Sequence, residues 1–96
     1  MKNGWVYLMA NRKNGVIYTG MTGHLKDRIA NHKTKKYKNS FSARYNVDKL
    51  VYFEEFEDIR DAYKREQQIK AGSRAKKIKL IESVNPEWKD LYDKIE

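Results

Sequence analysis

Short apolar runs and helix-length amphipathic stretches alternate along this chain. Trp5-Val-Tyr-Leu-Met-Ala10 and Val16-Ile-Tyr-Thr19 are strand-like runs on either side of Asn11-Arg-Lys-Asn-Gly15. Asn14-Gly15 is a strong reversal signal, so the runs predict an antiparallel hairpin, closed by Gly20. Its register stays open, because a two-residue turn and a longer loop both fit. Lys49-Leu-Val-Tyr-Phe-Glu-Glu-Phe56 is the strongest strand signal. Its four consecutive apolar residues suit a strand covered on both faces.

The remaining segments carry a helical period. Residues 22 to about 35 predict a helix with Thr22 or Gly23 near its cap and sparse apolar positions at Leu25, Ile29 and Ala30. Residues 36–46 read as a polar, basic loop holding Tyr37, Phe41 and Tyr45. Asp58 caps a helix running to Ala71, with Gly72 as its terminator. Ser73 caps another, to about Val84, and Asn85-Pro86 starts a short C-terminal helix over about 86–95. The order β-β-α-β-α-α-α predicts a small α/β (α+β) domain, a three-stranded antiparallel sheet flanked by helices. One domain is expected over 1–96, with its core over about 5–81.

The helical phases place charge where a core is expected. With Leu25 at zero, Ile29 falls near about +40°, His32 near about −20° and Arg28 near about −60°. Arg28 and His32 are four apart and therefore neighbours on the helix surface. On the next long helix, with Ile59 at zero, Ala62 lies near about −60°, Tyr63 near about +40° and Glu66 near about −20°. Glu66 thus sits within the apolar stripe, where a carboxylate needs a partner or a cation. One reading is a half-buried ion pair, Arg28 with Glu66. The other is a cleft floor supplying a carboxylate for a metal, a guanidinium for a phosphate and an imidazole for a proton, the parts needed to hydrolyse a phosphodiester. Mg²⁺ needs only one or two carboxylates when water and phosphate complete its shell. Tyr7 and Tyr18 lie on adjacent strands, and Gly20 permits close backbone approach, or φ > 0, beside a possible phosphate.

Composition narrows the picture. With 96 residues and no cysteine, the chain has room for one domain held by packing alone, without disulfides or a thiolate zinc site. A net charge of +8 favours polyanionic partners. No stretch approaches the ~18 apolar residues of a membrane span, and Met1-Lys2-Asn3 leads straight into a strand-like run rather than a leader. The expectation is a cytoplasmic protein.

The ordered set of residues resembles the GIY-YIG nuclease superfamily. The first tripeptide stands as Trp5-Val6-Tyr7 and the second as Tyr18-Thr19-Gly20, followed in order by Thr22, Leu25, Arg28, His32 and Arg65-Glu66. With Lys64 to Lys70, Ser73-Arg74, Lys77 and Leu80-Ile81, it looks like the short single-domain branch, similar to the nuclease domain of Slx-type structure-specific endonucleases. The resemblance spans roughly Trp5 to Ile81. Trp5, Val6 and Thr19 depart from the two tripeptides, at strand positions where such substitutes are physically reasonable. The resemblance implies a metal-dependent DNA endonuclease, with RNA as a further candidate substrate and repair or branched-DNA processing as its setting. It implies one divalent cation, Mg²⁺ or Mn²⁺, on Glu66. Arg28 would bind the scissile phosphate, Tyr7 or His32 would activate water, and Tyr18 would position it. A late asparagine is also implied, for which Asn85 is a candidate, although its place before Pro86 fits helix capping as well.

Lys33, Lys35 and Lys36 beside the first helix, and Lys70, Arg74 and Lys77 further on, are candidate phosphate contacts, and Tyr37 and Phe41 can stack on unpaired bases. The competing function is a nucleic-acid-binding module on the same fold whose chemistry has lapsed. Trp88, Leu91, Tyr92 and Ile95 suit docking onto the domain's own core, the favoured reading, or a protein partner supplying selectivity. A monomer is expected.

Overall fold

The strand-like runs pair around the first of them. In the computed structural model, which describes residues 2–95, strand β1 (Gly4–Ala10) is central, flanked by β2 (Ile17–Thr22) and β3 (Lys49–Phe56). All pairings are antiparallel, in the order β2-β1-β3. Met1 and Glu96, the outer bounds of the expected domain, lie outside the described residues. The hairpin closes through the longer of the two loops. Ala10 pairs with Ile17, Asn14 takes the left-handed conformation at φ 59°, and the Gly15 N–H donates to the Arg12 carbonyl at 2.9 Å. The Asn11 side chain accepts the Val16 N–H at 2.9 Å and locks the loop base.

A central strand must be covered on both faces, and Val6 to Ala10 are all fully buried. Val6, Leu8 and Ala10 pack with Ala62, Ile69, Ile81 and Trp88 on one face. Tyr7 and Met9 pack with Leu25, Ile29, Val47, Leu50 and Ile95 on the other. The pairing of β1 with β3 slips between Leu8 and Met9, which face Tyr52 and Leu50. Val51 is the extra residue of this bulge, and Val51 and Tyr52 both join the first cluster.

Helix α1 (Leu25–Lys33) covers the Tyr7 face, whereas α3 (Ile59–Ala71) and α4 (Arg74–Val84) cover the other. The caps read from sequence are present on the latter two. Asp58 accepts the Arg60 N–H at 2.9 Å, and Ser73 accepts the Lys76 N–H at 3.2 Å. Gly72 ends α3 at φ −79°, without a left-handed turn. Helix α1 starts later than residue 22, because Thr22 still belongs to β2 and its hydroxyl accepts the His24 N–H at 3.0 Å.

Three expectations need correction. The loop over 36–46 contains a four-residue helix, α2 (Phe41–Arg44), which Ser40 caps by accepting the Ala43 N–H at 3.3 Å. Tyr63 is not part of the inward stripe of α3 and is 56% exposed, since the helix rolls toward Ala62, Glu66 and Ile69. The C-terminal helix over 86–95 is reduced to a single 3₁₀ turn, Tyr92–Lys94. This segment carries Trp88 into one core cluster and Ile95 into the other by passing around the outer edge of β3. There Leu91 donates its N–H to the Leu50 carbonyl at 2.7 Å, and the Asp90 carboxylate accepts the Leu50 N–H at 3.1 Å. A helix has no spare mid-helix backbone groups with which to cover a strand edge. The apolar spacing at Trp88, Leu91, Tyr92 and Ile95 therefore reflects docking onto the chain's own core, with Trp88 2% and Ile95 8% exposed.

Candidate active site

Strand alternation sends Tyr7 toward α1, opposite Gly20 of β2. A Cβ on Gly20 would lie 2.6 Å from both Cζ and Oη of Tyr7 and 2.9 Å from Tyr18 Cε2. Gly20 has no positive φ, so of its two sequence-level uses the structure selects close approach. What approaches is the end of the Tyr7 ring.

Helix α1 buries Leu25 and Ile29, which leaves Arg28 and His32 on the flank beside this ring. Tyr7 Oη and His32 Nε2 are 2.9 Å apart, and Arg28 Nε donates to Tyr7 Oη across a longer 3.4 Å. The Tyr18 ring stands 6.2 Å from that of Tyr7 and 5.2 Å from that of His32. Phe41 stacks on Tyr18 at 6.1 Å, with Tyr45 beyond it at 4.8 Å. On the far side of the imidazole, His32 Nδ1 lies 2.6 Å from the hydroxyl of Ser42, a buried residue of α2. An open cleft of about 460 Å³ lies over the group, lined by Tyr18, Arg28, Asn31, His32, Tyr37, Ser40, Phe41 and Ser42.

Electrostatics set the protonation of the group at neutral pH. Burial pushes the Tyr7 phenol up to about 12; the hydrogen bond from Arg28 pulls the other way without winning, and Tyr18 adds to the rise. Burial, reinforced by the Arg28 charge, pulls the His32 imidazole down to about 4. Arg28 is raised above its ordinary value, chiefly by its hydrogen bond to Tyr7, and stays cationic. The neutral imidazole of His32 and the fixed positive charge of Arg28 thus line the cleft, with the neutral phenol of Tyr7 buried behind them.

Glu66 makes no hydrogen bond or ion pair with this group. It is buried on α3, and the Arg28–Glu66 ion pair considered from sequence does not form. Its carboxylate pairs with Lys70 at 3.3 Å and accepts from the Gln67 amide at 3.3 Å. Among the described residues no group of three or more His, Cys, Asp or Glu is placed to hold a metal ion. One hard carboxylate on an exposed lysine still fits a cation that keeps water and phosphate as its other ligands. Asn85 is buried at the end of α4, donating to the Val51 carbonyl at 3.0 Å and the Lys89 carbonyl at 2.8 Å.

Several candidate phosphate contacts also serve the fold. Lys33 donates to the Asp48 carbonyl at 2.8 Å and pairs with Asp90, and Lys77 donates to the Gly72 carbonyl at 2.8 Å. Arg74 grips the hairpin loop through the carbonyls of Asn14 at 2.8 Å and Gly15 at 2.6 Å. Lys35 donates to the Asn46 side chain at 2.6 Å, while Lys36 lies over the exposed Tyr37 ring. Ser42 is the residue that sequence reasoning missed. Its only local signal was Ser40, a capping residue two positions earlier.

Residues 3–79 match the family model of the GIY-YIG catalytic domain. A UPF0213 protein of Syntrophus aciditrophicus is 34% identical over 87 residues, spanning 91% of this chain and 98% of its own. One from Clostridium perfringens is 40% identical over 83 residues, 82% of this chain and 83% of its own. The solution NMR structure of the UPF0213 protein BH0048 from Bacillus halodurans superposes with a TM-score of 0.57 at 27% identity, covering 92% of both chains.

Proposed function

The chain belongs to the GIY-YIG catalytic-domain family, and from that premise we propose that it is a metal-dependent endonuclease hydrolysing DNA phosphodiester bonds. The family's domain is a nuclease domain, so a nucleic-acid substrate follows from membership. The observation that carries the finer reading is the hydrogen-bonded trio of Tyr7, His32 and Arg28 beneath an open cleft.

In this reading Arg28 binds a non-bridging oxygen of the scissile phosphate and stabilises the charge that builds there. The attacking water forms the new P–O bond and loses its proton to Tyr7 Oη, whose own proton passes to His32 Nε2. The bond to the leaving oxygen breaks, and that oxygen departs with the electron pair and takes a proton from solvent. Sequence left Tyr7 and His32 as alternative bases; a 2.9 Å contact lets them act as one pair. The two are complementary in state, since the Tyr7 phenol keeps its proton at neutral pH and the neutral imidazole has a free lone pair to receive it. Tyr18, packed against both rings, positions the water or the phosphate. A divalent cation, Mg²⁺ or Mn²⁺, held by Glu66 would supply further neutralisation of phosphate charge. The exposed Tyr37 and Phe41 offer stacking surfaces for unpaired bases, and Lys33, Lys35, Lys36, Lys70, Arg74 and Lys77 add positive charge along the track.

A structure-selective activity like that of Slx-type nucleases, a role in DNA repair or branched-DNA processing, a cytoplasmic location, a monomeric state and a protein partner that adds selectivity belong to the same proposal, and none is needed by the chemistry. Among the described residues no helix is long and apolar enough to cross a membrane. A second reading, a nucleic-acid-binding module whose chemistry has lapsed, draws support from the Lys70 partner that Glu66 already has.

The test is metal-dependent cleavage of end-labelled single-stranded, duplex, flap and branched DNA, with matched RNA. Wild type runs beside folded Glu66→Ala and Arg28→Ala. Cleavage with Mg²⁺ or Mn²⁺ that is lost in both variants supports the nuclease. Salt-sensitive binding without cleavage of any substrate, unaltered by Glu66→Ala, favours the binding module.

A further inference from the structure

We propose that Ser42 is a positioning residue whose hydroxyl holds His32 in the Nδ1–H form, so that Nε2 turns its lone pair toward Tyr7. The inference rests on reading Tyr7 and His32 as the proton-accepting pair and identifies what orients that pair.

Two hydrogen-bond arrangements fit the heavy atoms. In one, His32 Nδ1 donates to Ser42 Oγ across 2.6 Å and Nε2 accepts the Tyr7 phenol proton across 2.9 Å. In the other, both protons are reversed and Nε2–H donates to Tyr7. Two features select the first. Arg28 Nε already donates to Tyr7 Oη at 3.4 Å, so the guanidinium stands at the Nε2 end of the imidazole. Arg28 is a donor only, so the phenol proton finds its acceptor in the Nε2 lone pair, and a lone pair at that end also faces the cation favourably. At the opposite end, Ser40 Oγ lies 3.3 Å from Ser42 Oγ while it accepts the Ala43 N–H as the cap of α2. Ser42 can therefore give its own proton to Ser40 and keep both lone pairs for His32. The result is a one-way chain from His32 through Ser42 to Ser40, ending on the capped turn of α2.

The placement of Ser42 suits this role. It is 3% exposed, so water does not replace its hydroxyl freely. Its carbonyl accepts the Val47 N–H at 2.8 Å, an anchor independent of the side chain. Helix α2 therefore holds a fixed acceptor against the imidazole, and the loop that joins α1 to β3 becomes part of the reaction machinery.

The experiment reads the His32 tautomer by two-bond ¹H–¹⁵N correlation at neutral pH in wild type, Ser42→Ala, Ser42→Cys and Ser42→Thr, together with cleavage kinetics. Wild type and Ser42→Thr are expected in the Nδ1–H form. Ser42→Ala and Ser42→Cys are expected to populate Nε2–H and to lose about 10- to 100-fold in kcat with KM unchanged, the range found when a partner orienting a functional histidine is removed. A purely structural serine would change stability without moving the tautomer. The inference is overturned if wild type is Nε2–H, if neither variant shifts the tautomer, or if the tautomer shifts while kcat stays within about threefold. Should wild type cleave nothing, the nuclease reading fails, while the tautomer of the four proteins still decides whether Ser42 orients His32.

Discussion

Gly20→Ala should disable the site without removing any of its side chains. The new Cβ would lie 2.6 Å from Cζ and Oη of Tyr7, against about 3.5–4.0 Å for relaxed carbon contacts. Flipping the ring offers no relief, because Cζ and Oη lie on the axis about which it flips. Tyr7 is fully buried and cannot swing outward, so the ring must move by about 1 Å. A displacement of that size takes a 2.9 Å hydrogen bond to His32 beyond the ordinary range. Overpacking of this kind costs about 1–3 kcal/mol, and replacing a strand glycine returns about 0.5–1 kcal/mol. A net loss of about 1–2 kcal/mol should lower Tm by roughly 5–15 °C in a domain of this size. Cleavage should fall by about 100-fold, as for a misplacement of about 1 Å in a reacting group. Urea unfolding with an unchanged m-value and single-turnover cleavage at saturating DNA measure the two effects. A variant as stable and as active as wild type would refute the argument that Gly20 exists to admit the end of the Tyr7 ring.

Two further outcomes follow from the geometry. His32 is held neutral in the folded protein, with its pKa near 4 against about 6.5 when unfolded. The unfolded imidazole therefore binds a proton that the folded one refuses, and this contribution to stability is present above about pH 6.5 and is lost as pH falls toward 4. The difference in urea midpoint between wild type and His32→Gln should shrink or reverse over that window; a His32 titration near 6.5 by NMR would contradict it. Arg74→Ala releases the hairpin loop by removing donors to the Asn14 and Gly15 carbonyls and should cost about 1 kcal/mol in urea unfolding, whereas an unchanged midpoint would mean that this exposed arginine contributes charge alone.

Local chemistry made much of the molecule legible in advance. The three strands, the caps at Asp58 and Ser73, and the sheet flanked by helices follow from residue periods and from side chains that satisfy nearby backbone groups. Arg28 and His32 could be placed beside the apolar stripe of α1 because a helix fixes its neighbours at three and four residues. Other features depend on partners far along the chain. The tyrosine–imidazole contact joins residues 25 apart, and the serine behind the imidazole comes from a short helix without apolar periodicity. Tyr63 left the inward stripe because the roll of α3 is set by the sheet beneath it, against which Ala62 and Ile69 pack. Asn85 reads from sequence as a cap or a site residue, and only the fold shows its amide clamping β3. The C-terminal segment shows the same limit: an apolar spacing of three to four fits a helix, yet the uncovered edge of β3 needs backbone donors and acceptors, and satisfying them unwinds the segment into a strap. Sequence thus determined which residues could do chemistry and which elements carry them. Packing across the sheet decided which of those residues meet, because long-range contacts depend on the relative placement of elements, which no local period encodes.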